Sequence, residues 1–325
     1  KKGDGVLMNK EESVKYFKLA IENGNSDAMY NYALMLSKGE GVSVNKEESI
    51  KYFKMAIDRG HSDAMFSYAI RLCKGDGISV NKEESIKYFK MAIDDGNVNA
   101  IYTYASMLDT GDGFPVNKEE AAKYYKMAAD LGDAESMFNY ALMNFKGEGI
   151  PVNKDEAIKY YKMSIDIGYE KSIYNYGLIL FHGDGIQSNK EEAMKYFKMA
   201  ADKGDPNSTY TIAYMLRKGD GVPVNLEESI KYYKLAIERG SGEAMLNYGR
   251  MLFNKECESD DKDEWIKYIK MAIEKGNMHA MFFYATKLET GDGVPMNINE
   301  AMNYYLMAAE KGHMRAMLSL MNLTK

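Results

Sequence analysis

The sequence is poor in the residues that build most sites. It holds two cysteines, one tryptophan, five prolines and four histidines in 325 residues. Charge of one sign is not in excess: the formal net charge is -6, and no basic stripe of the kind a nucleic-acid binder needs is present, so no nucleic acid is expected as partner. No apolar run approaches the roughly 18 residues of a membrane span, which excludes membrane insertion by a helix. No signal-peptide pattern is visible. The chain opens on Lys1 and not on Met, so an upstream region is expected to be missing.

What the chain has instead is repetition. Lys74–Gly96 reads KGDGISVNKEESIKYFKMAIDDG, Lys146–Gly168 reads KGEGIPVNKDEAIKYYKMSIDIG, and Lys218–Gly240 reads KGDGVPVNLEESIKYYKLAIERG. Asn9, Asn45, Asn81, Asn117, Asn153, Asn189, Asn225, Asp261 and Asn297 stand 36 residues apart, and the glycines from Gly24 to Gly312 keep the same period. No insertion or deletion breaks it. Repeats of this length signal stacked supersecondary units.

Each unit reads as two helices. The first, read as the longer, starts at the Asn. In Asn45-Lys46-Glu47-Glu48 an N-cap side chain is followed three residues on by Glu, a capping-box arrangement. Ile50, Phe53, Ala56 and Ile57 share one stripe, while Lys51 and Lys54 fall outside it. Gly60 supplies a left-handed C-terminal cap. The second helix begins after a second cap: Asn25, Asn97, Asp133, Asp205, Ser241 or Asn277. Its stripe Ala28, Tyr32, Leu36 recurs as Ala64, Tyr68, Leu72. A small residue recurs at Ala33, Ala69, Ala105, Ala141, Gly177, Ala213, Gly249 and Ala285, where another helix can approach closely. Two such helices cannot bury their apolar faces alone, but stacked neighbours can. The expected fold is all-α: one α/α superhelical solenoid of about nine 36-residue helix pairs over residues 1–325, right-handed, cut within a repeat at its N-terminus and carrying a diverged turn at 254–263.

Ser172, Tyr176-Gly177, Leu180, Gly183-x-Gly185, Asn189, Ala193, Tyr196-Phe197, Ala200-Ala201 and Gly204 together resemble the Sel-1-like repeat, a relative of the tetratricopeptide repeat. The resemblance covers essentially the whole chain. It departs where Ala replaces the family's helix glycine in most units and where Tyr or Phe replaces its tryptophan, both adjustments of size. It implies an adaptor that assembles other proteins, and no single biochemical activity.

The glycine-rich stretch K-G-D-G-V-P-V-N reads as a turn. It lacks the third glycine of a dinucleotide fingerprint and the G-K-[ST] of a Walker loop, and it follows a helix and not a strand. It also lacks the alternating ligands of a calcium loop. Cys73 and Cys257 lie about five repeats apart. In an array whose units touch only their neighbours they cannot reach the roughly 7 Å a disulfide needs. That fits a reducing compartment, and a cytoplasmic location is expected. Cys73 reads as a small helix residue and Cys257 as exposed. His61 and His313 fall at cap positions and His182 at a helix end, so solvated histidines are expected. None has zinc spacing. The Glu47–Glu48 pair recurs, as Glu-Glu or Asp-Glu, in eight of the nine units, whereas a catalytic pair would be singular. No metal, no cofactor and no catalytic residue is predicted, and this segment is read as no enzyme. The methionines Met55, Met91, Met127, Met163, Met199 and Met271 read as core filler.

A partner site is sought where the units differ. The first helix hardly varies; the second varies on one face. By resemblance to the tetratricopeptide family that helix lines a concave groove. One variable column contributes Asn31, Asn139, Asn175 and Asn247, whose amides suit a peptide backbone. A second contributes Phe145, Phe181, Arg217 and Phe253, residue types common at interface hot spots. A third contributes Tyr214 and Arg250. The function expected is a scaffold or adaptor that binds a protein or extended peptide in this groove. The alternatives are a regulatory array attached to an upstream catalytic domain such as a protein kinase, which the resemblance allows, and a hydrolase working from the groove.

Overall fold

A computed structural model of the chain describes residues 10–257 and 263–323. The expectations placed on Asn9, on Asp261 and on the middle of the 254–263 turn fall outside these residues. Eighteen helices and no strand are found among the described residues. They divide into two compact units, residues 1–169 and 170–325. The first unit holds α1 (Lys10–Glu22), α2 (Ser26–Lys38), α3 (Lys46–Ile57), α4 (Ser62–Lys74), α5 (Lys82–Asp94), α6 (Val98–Thr110), α7 (Lys118–Asp130), α8 (Ala134–Lys146) and α9 (Lys154–Asp166). The second holds α10 (Glu170–His182), α11 (Lys190–Asp202), α12 (Pro206–Lys218), α13 (Leu226–Glu238), α14 (Gly242–Phe253), α15 (Glu264–Glu274), α16 (Met278–Thr290), α17 (Ile298–Glu310) and α18 (Met314–Leu323).

The odd helices α3, α5, α7, α9, α11, α13 and α17 start at the repeated Asn, whereas α15 opens at Glu264 after Asp263 with no side-chain cap bond; the even helices start after the second cap. The two kinds are alike in length, 13 residues in α5 and in α6, so the even helix is not the shorter one. It runs on to the first glycine of the turn. Gly75, at φ 74°, closes α4 by donating its N–H to the Arg71 carbonyl at 2.8 Å, the left-handed cap that glycine enters without strain.

The caps form as the residue types dictate, with one difference. The Asn45 Oδ1 accepts the Glu48 N–H at 3.0 Å, and its Nδ2 donates to Glu48 Oε2 at 3.0 Å. Glu48 does not reach back to the Asn45 backbone, because that N–H already donates across the turn to the Leu36 carbonyl at 2.9 Å. The side-chain pair replaces the reciprocal box.

The turn is structural. Its second glycine sits against the start of the preceding odd helix: a Cβ on Gly77 would stand 2.6 Å from Lys46 Cβ, and one on Gly149 would overlap the Lys118 backbone. The lysines opening α3, α7 and α11 reach that turn. Lys46 Nζ lies 2.7 Å from Asp76 Oδ1, Lys118 pairs with Glu148, and Lys190 with Asp220. The Lys46 hydrogen bond holds the Asp76 carboxyl below the usual carboxylate range.

Within each unit, an even helix packs most extensively on the odd helix that follows it. The small column makes this possible. Ser49 Oγ donates to the Ala33 carbonyl at 2.7 Å, Ser85 to that of Ala69 at 2.7 Å, and, in the second unit, Ser229 to that of Ala213 at 2.6 Å. Where the second unit places the large Trp265 in the serine column, the facing residue is Gly249. A Cβ there would meet Ile269 at 3.0 Å and the Trp265 carbonyl at 3.1 Å. Phe53, Phe89 and Tyr125 form the centre of the first unit's core, and Trp265, Ile269 and Tyr305 that of a core cluster in the second. The methionine expectation is corrected. Met127 and Met199 are exposed, and Met55, Met91, Met163 and Met271 are only half-buried. The buried methionines, such as Met29, Met137, Met245 and Met281, lie mainly on even helices. Cys73 is buried; Cys257 is half-buried, and burial pushes its thiol up.

Candidate functional site

A cleft of about 570 Å³ opens on α14, α16 and α18 in the second unit. Its walls follow from helix periodicity. Counting from each even-helix cap, the residues two, six and nine places on share one stripe. From the cap Ser241 these are Glu243, Asn247 and Arg250; from Asn277 they are His279, Phe283 and Thr286; from His313 the first is Arg315. All of them line the cleft.

The cleft joins aromatic surface to positive charge. The Arg250 guanidinium lies 5.5 Å from the Phe283 ring centre, and the His313 ring stacks on Phe282 at 4.5 Å. His279 meets His313 edge-on at 5.1 Å. His313 Nδ1 accepts the Ala316 N–H at 3.2 Å, so the imidazole is held as the cap of α18. Burial, followed by the neighbouring His279 and Arg315, lowers the His313 pKa below that of a free imidazole. Arg315 is exposed.

The residues singled out from sequence separate into two groups. Asn31, Asn139, Asn175 and Asn247 are all half-buried. Asn31 donates to the Asp27 carbonyl at 2.7 Å and Asn175 to that of Lys171 at 2.9 Å. Asn247 donates to the Glu243 carbonyl at 2.9 Å and to Tyr210 Oη at 3.1 Å. Tyr214 is exposed, 37% of its surface remaining open to solvent. Of these five and Arg250, the cleft brings together Asn247 and Arg250. The other group stands twelve places past the cap and is covered from the following unit. Lys154 Nζ sits 3.6 Å from the Phe145 ring centre and Lys190 Nζ 5.0 Å from that of Phe181. Phe253 packs on Trp265 at 4.9 Å and on Phe283 at 5.9 Å, with Lys287 Nζ 3.9 Å over its ring. Arg217 grips Glu256 with two bonds, of 2.7 and 2.6 Å.

That last pair explains the irregular turn. Leu226 opens α13 where α3, α7 and α11 carry the clamping lysine, so that lysine is not there to hold the turn after α14. Arg217 takes that place, and its hydrogen bonds lower the Glu256 pKa. Lys255 occupies the first glycine's position at φ 59°.

Sequence reasoning missed His279, His313, Arg315 and Phe282. The solvated reading of the cap histidines is also corrected. His61 stacks on Tyr30 at 4.7 Å and faces Asp27 Oδ1 at 3.2 Å, with only 11% of its side chain exposed. The signal available was the change of residue type two places past the cap, from Asp27 and Asp63 early in the chain to His279 and Arg315 late in it.

A family profile described as Sel1 repeat matches residues 1–25, 26–61, 62–97, 98–133, 134–169, 171–205, 206–241 and 279–313. It passes over 242–278, where Trp265 and the irregular turn lie. No curated protein matches the chain. Among solved structures the chain is similar to c5321, a protective antigen present in uropathogenic Escherichia coli strains and displaying an SLR fold: TM-score 0.80, 21% identity, 97% of this chain and 67% of that one. It is equally similar to a Sel1 repeat protein from Oxalobacter formigenes, with TM-score 0.80, 18% identity and 99% and 96% covered. Yeast Tom70 matches at TM-score 0.50 and 16% identity over 86% of this chain and 60% of its own. At these identities the likeness speaks for an α/α solenoid fold.

Proposed function

We propose, from the premise that this chain belongs to the Sel1-repeat family, that it is a scaffold binding a protein or extended peptide along the inner stripe of its even helices. Helix-pair solenoids of this kind generally mediate protein–protein interaction, and the segment acts as a binding module and not as an enzyme. The observation that carries the reading is the cleft on α14, α16 and α18. It gathers residues from the face that varies between units, while the odd helices repeat almost unchanged. Asn31, Asn139, Asn175, Tyr214, Asn247 and Arg250 belong to that stripe. Phe145, Phe181, Arg217 and Phe253 contribute only to its edge, because lysines or Glu256 already cover them. The 36-residue register runs unbroken through Tyr169 and Glu170, which supports reading the two units as one array.

The test is site-specific photo-crosslinking in the native cell. A photoreactive phenylalanine analogue at Phe283 should give a discrete adduct, lost with Arg250→Ala, while the same analogue at the exposed Lys231 gives none. Adducts from Lys231 and none from Phe283 would place the partner on the odd helices and end the proposal.

A further inference from the structure

The two cap histidines of this chain have opposite neighbours. In the first unit the His61 Nε2 faces the Asp27 carboxylate at 3.2 Å. That carboxylate comes from two places past the preceding even-helix cap. The same position before His313 holds His279, whose imidazole meets that of His313 at 5.1 Å. Both histidines cap their helices identically, each accepting a backbone N–H at 3.2 Å through Nδ1. Each also stacks on an aromatic ring, Tyr30 or Phe282, but the charge set beside them differs. Around His313 stand His279, Arg315 and Arg250, on the walls of one cleft.

One carboxylate lines the cleft, that of Glu243, and it already accepts from Asn277 Nδ2 at 2.8 Å. The ammonium on α16, that of Lys287, is paired with Asp292 at 2.6 Å. Arg250 and Arg315 take part in no ion pair among the described residues. Arg250 lies on Phe283 instead, an arrangement that keeps a guanidinium weakly hydrated and ready for a planar anion. Phe282 and Phe283 supply apolar surface directly beside these cations.

We infer that the cleft on α14, α16 and α18 takes an extended peptide presenting an acidic side chain beside an aromatic one. The carboxylate lies among Arg250, Arg315 and the His279–His313 pair, where it gives the imidazoles what Asp27 gives His61. The aromatic side chain lies on Phe282 and Phe283. This deepens the proposed peptide-binding function and rests on it.

The probes are a fluorescein-labelled peptide of alternating Glu and Phe residues and its Gln-for-Glu counterpart, titrated with the full chain at near-physiological salt and followed by anisotropy. The Glu peptide should bind at least about tenfold tighter than the Gln peptide, and Arg250→Gln and Arg315→Gln should each remove about that factor, as expected for a charge-assisted hydrogen bond. Lys231→Gln, on an odd helix, should leave binding unchanged and controls for net charge. Equal binding of both peptides, lost together with Phe283→Ala, would overturn the acidic inference and leave the groove reading standing. Undetectable binding of the Glu peptide, or binding indifferent to Arg250 and Arg315, would overturn it as well. So would concentration-dependent self-association abolished by Phe283→Ala, which would make the occupant a second copy of the chain.

Discussion

Two places past its even-helix caps the first unit carries Asp27, Asp63, Asn99 and Glu135, and the second carries Lys171, Asn207, Glu243, His279 and Arg315. After Asp27, Asp63, Glu243 and His279 alike, the next even helix is capped by a side chain, that of His61, Asn97, Asn277 or His313. In the first unit the carboxylates reach forward to the next cap: Asp27 to His61 at 3.2 Å, and Asp63 to Asn97 at 2.7 Å. In the second unit Glu243 does the same to Asn277, but His279 meets His313. The fold needs only the bond from the cap side chain to its backbone N–H, which His61 and His313 make alike. The residue two places past a cap is therefore free to set the charge that the next cap sees. One scaffold thus presents an acidic stripe in one unit and a cationic, aromatic one in the other.

The units also differ in how their cores tolerate change, and this yields the largest predicted effect. Trp265→Ala should cost about 3–5 kcal/mol, because the buried ring packs on Phe253 and Phe283 and its removal opens a cavity. Hydrogen exchange should show the loss in α14 to α17, while α3 to α7 keep their protection, since solenoid stability is set by neighbouring contacts. Uniform loss across both units would break the comparison. In the first unit Ala141→Leu should cost about 1–3 kcal/mol by overpacking a fully buried site, read as a lower denaturant midpoint.

Two glycines of the first unit separate conformation from packing. At Gly168, φ 88°, an added Cβ meets nothing within 4 Å. Gly168→Ala should therefore cost only the left-handed strain of about 1 kcal/mol. Gly149→Ala should cost more, because its Cβ would also overlap the Lys118 backbone. Equal midpoints for the two variants would show that the second glycine of the turn is not a packing residue.

The smallest structural change tests the charge difference itself. His279→Asp copies the Asp27–His61 arrangement into the second unit. Stability should hardly change, as for most surface substitutions. Affinity for the Glu–Phe peptide should fall about tenfold, the loss of one charge-assisted contact and the gain of a like charge. Unchanged affinity would mean that the histidine pair is not part of the site.

How much of this could be read from the chain alone follows from where each signal lives. The helix pairs, both caps, the small column and the turn were legible because each depends on residues within one 36-residue unit. Ala141 is buried and Gly168 has positive φ for those local reasons. The +12 column was not legible as covered. Nothing in the character of Phe145 or Phe181 reveals that the lysine opening the following odd helix lies over its ring. The cleft was only half legible: Asn247 and Arg250 vary visibly, but His279 and His313 sit 34 residues apart and meet only because neighbouring units stack. Capping also hid His313, since a histidine at a cap has a sufficient structural reason to be there.

The most direct test of the central claim follows the imidazoles of His279 and His313 by NMR across pH, in the full chain with and without the Glu–Phe peptide. The His313 pKa is already depressed in the free protein, so its titration should fall below the roughly 6.5 of an unperturbed histidine. A bound carboxylate favours the imidazolium. With peptide present the His313 midpoint should rise, and affinity should increase as pH falls from 8 to 6. Free guanidinium and glutamate side chains do not change charge over that range, so the change in affinity reports an imidazole. Midpoints that the peptide leaves where they were, or an affinity flat across this range, would contradict the account.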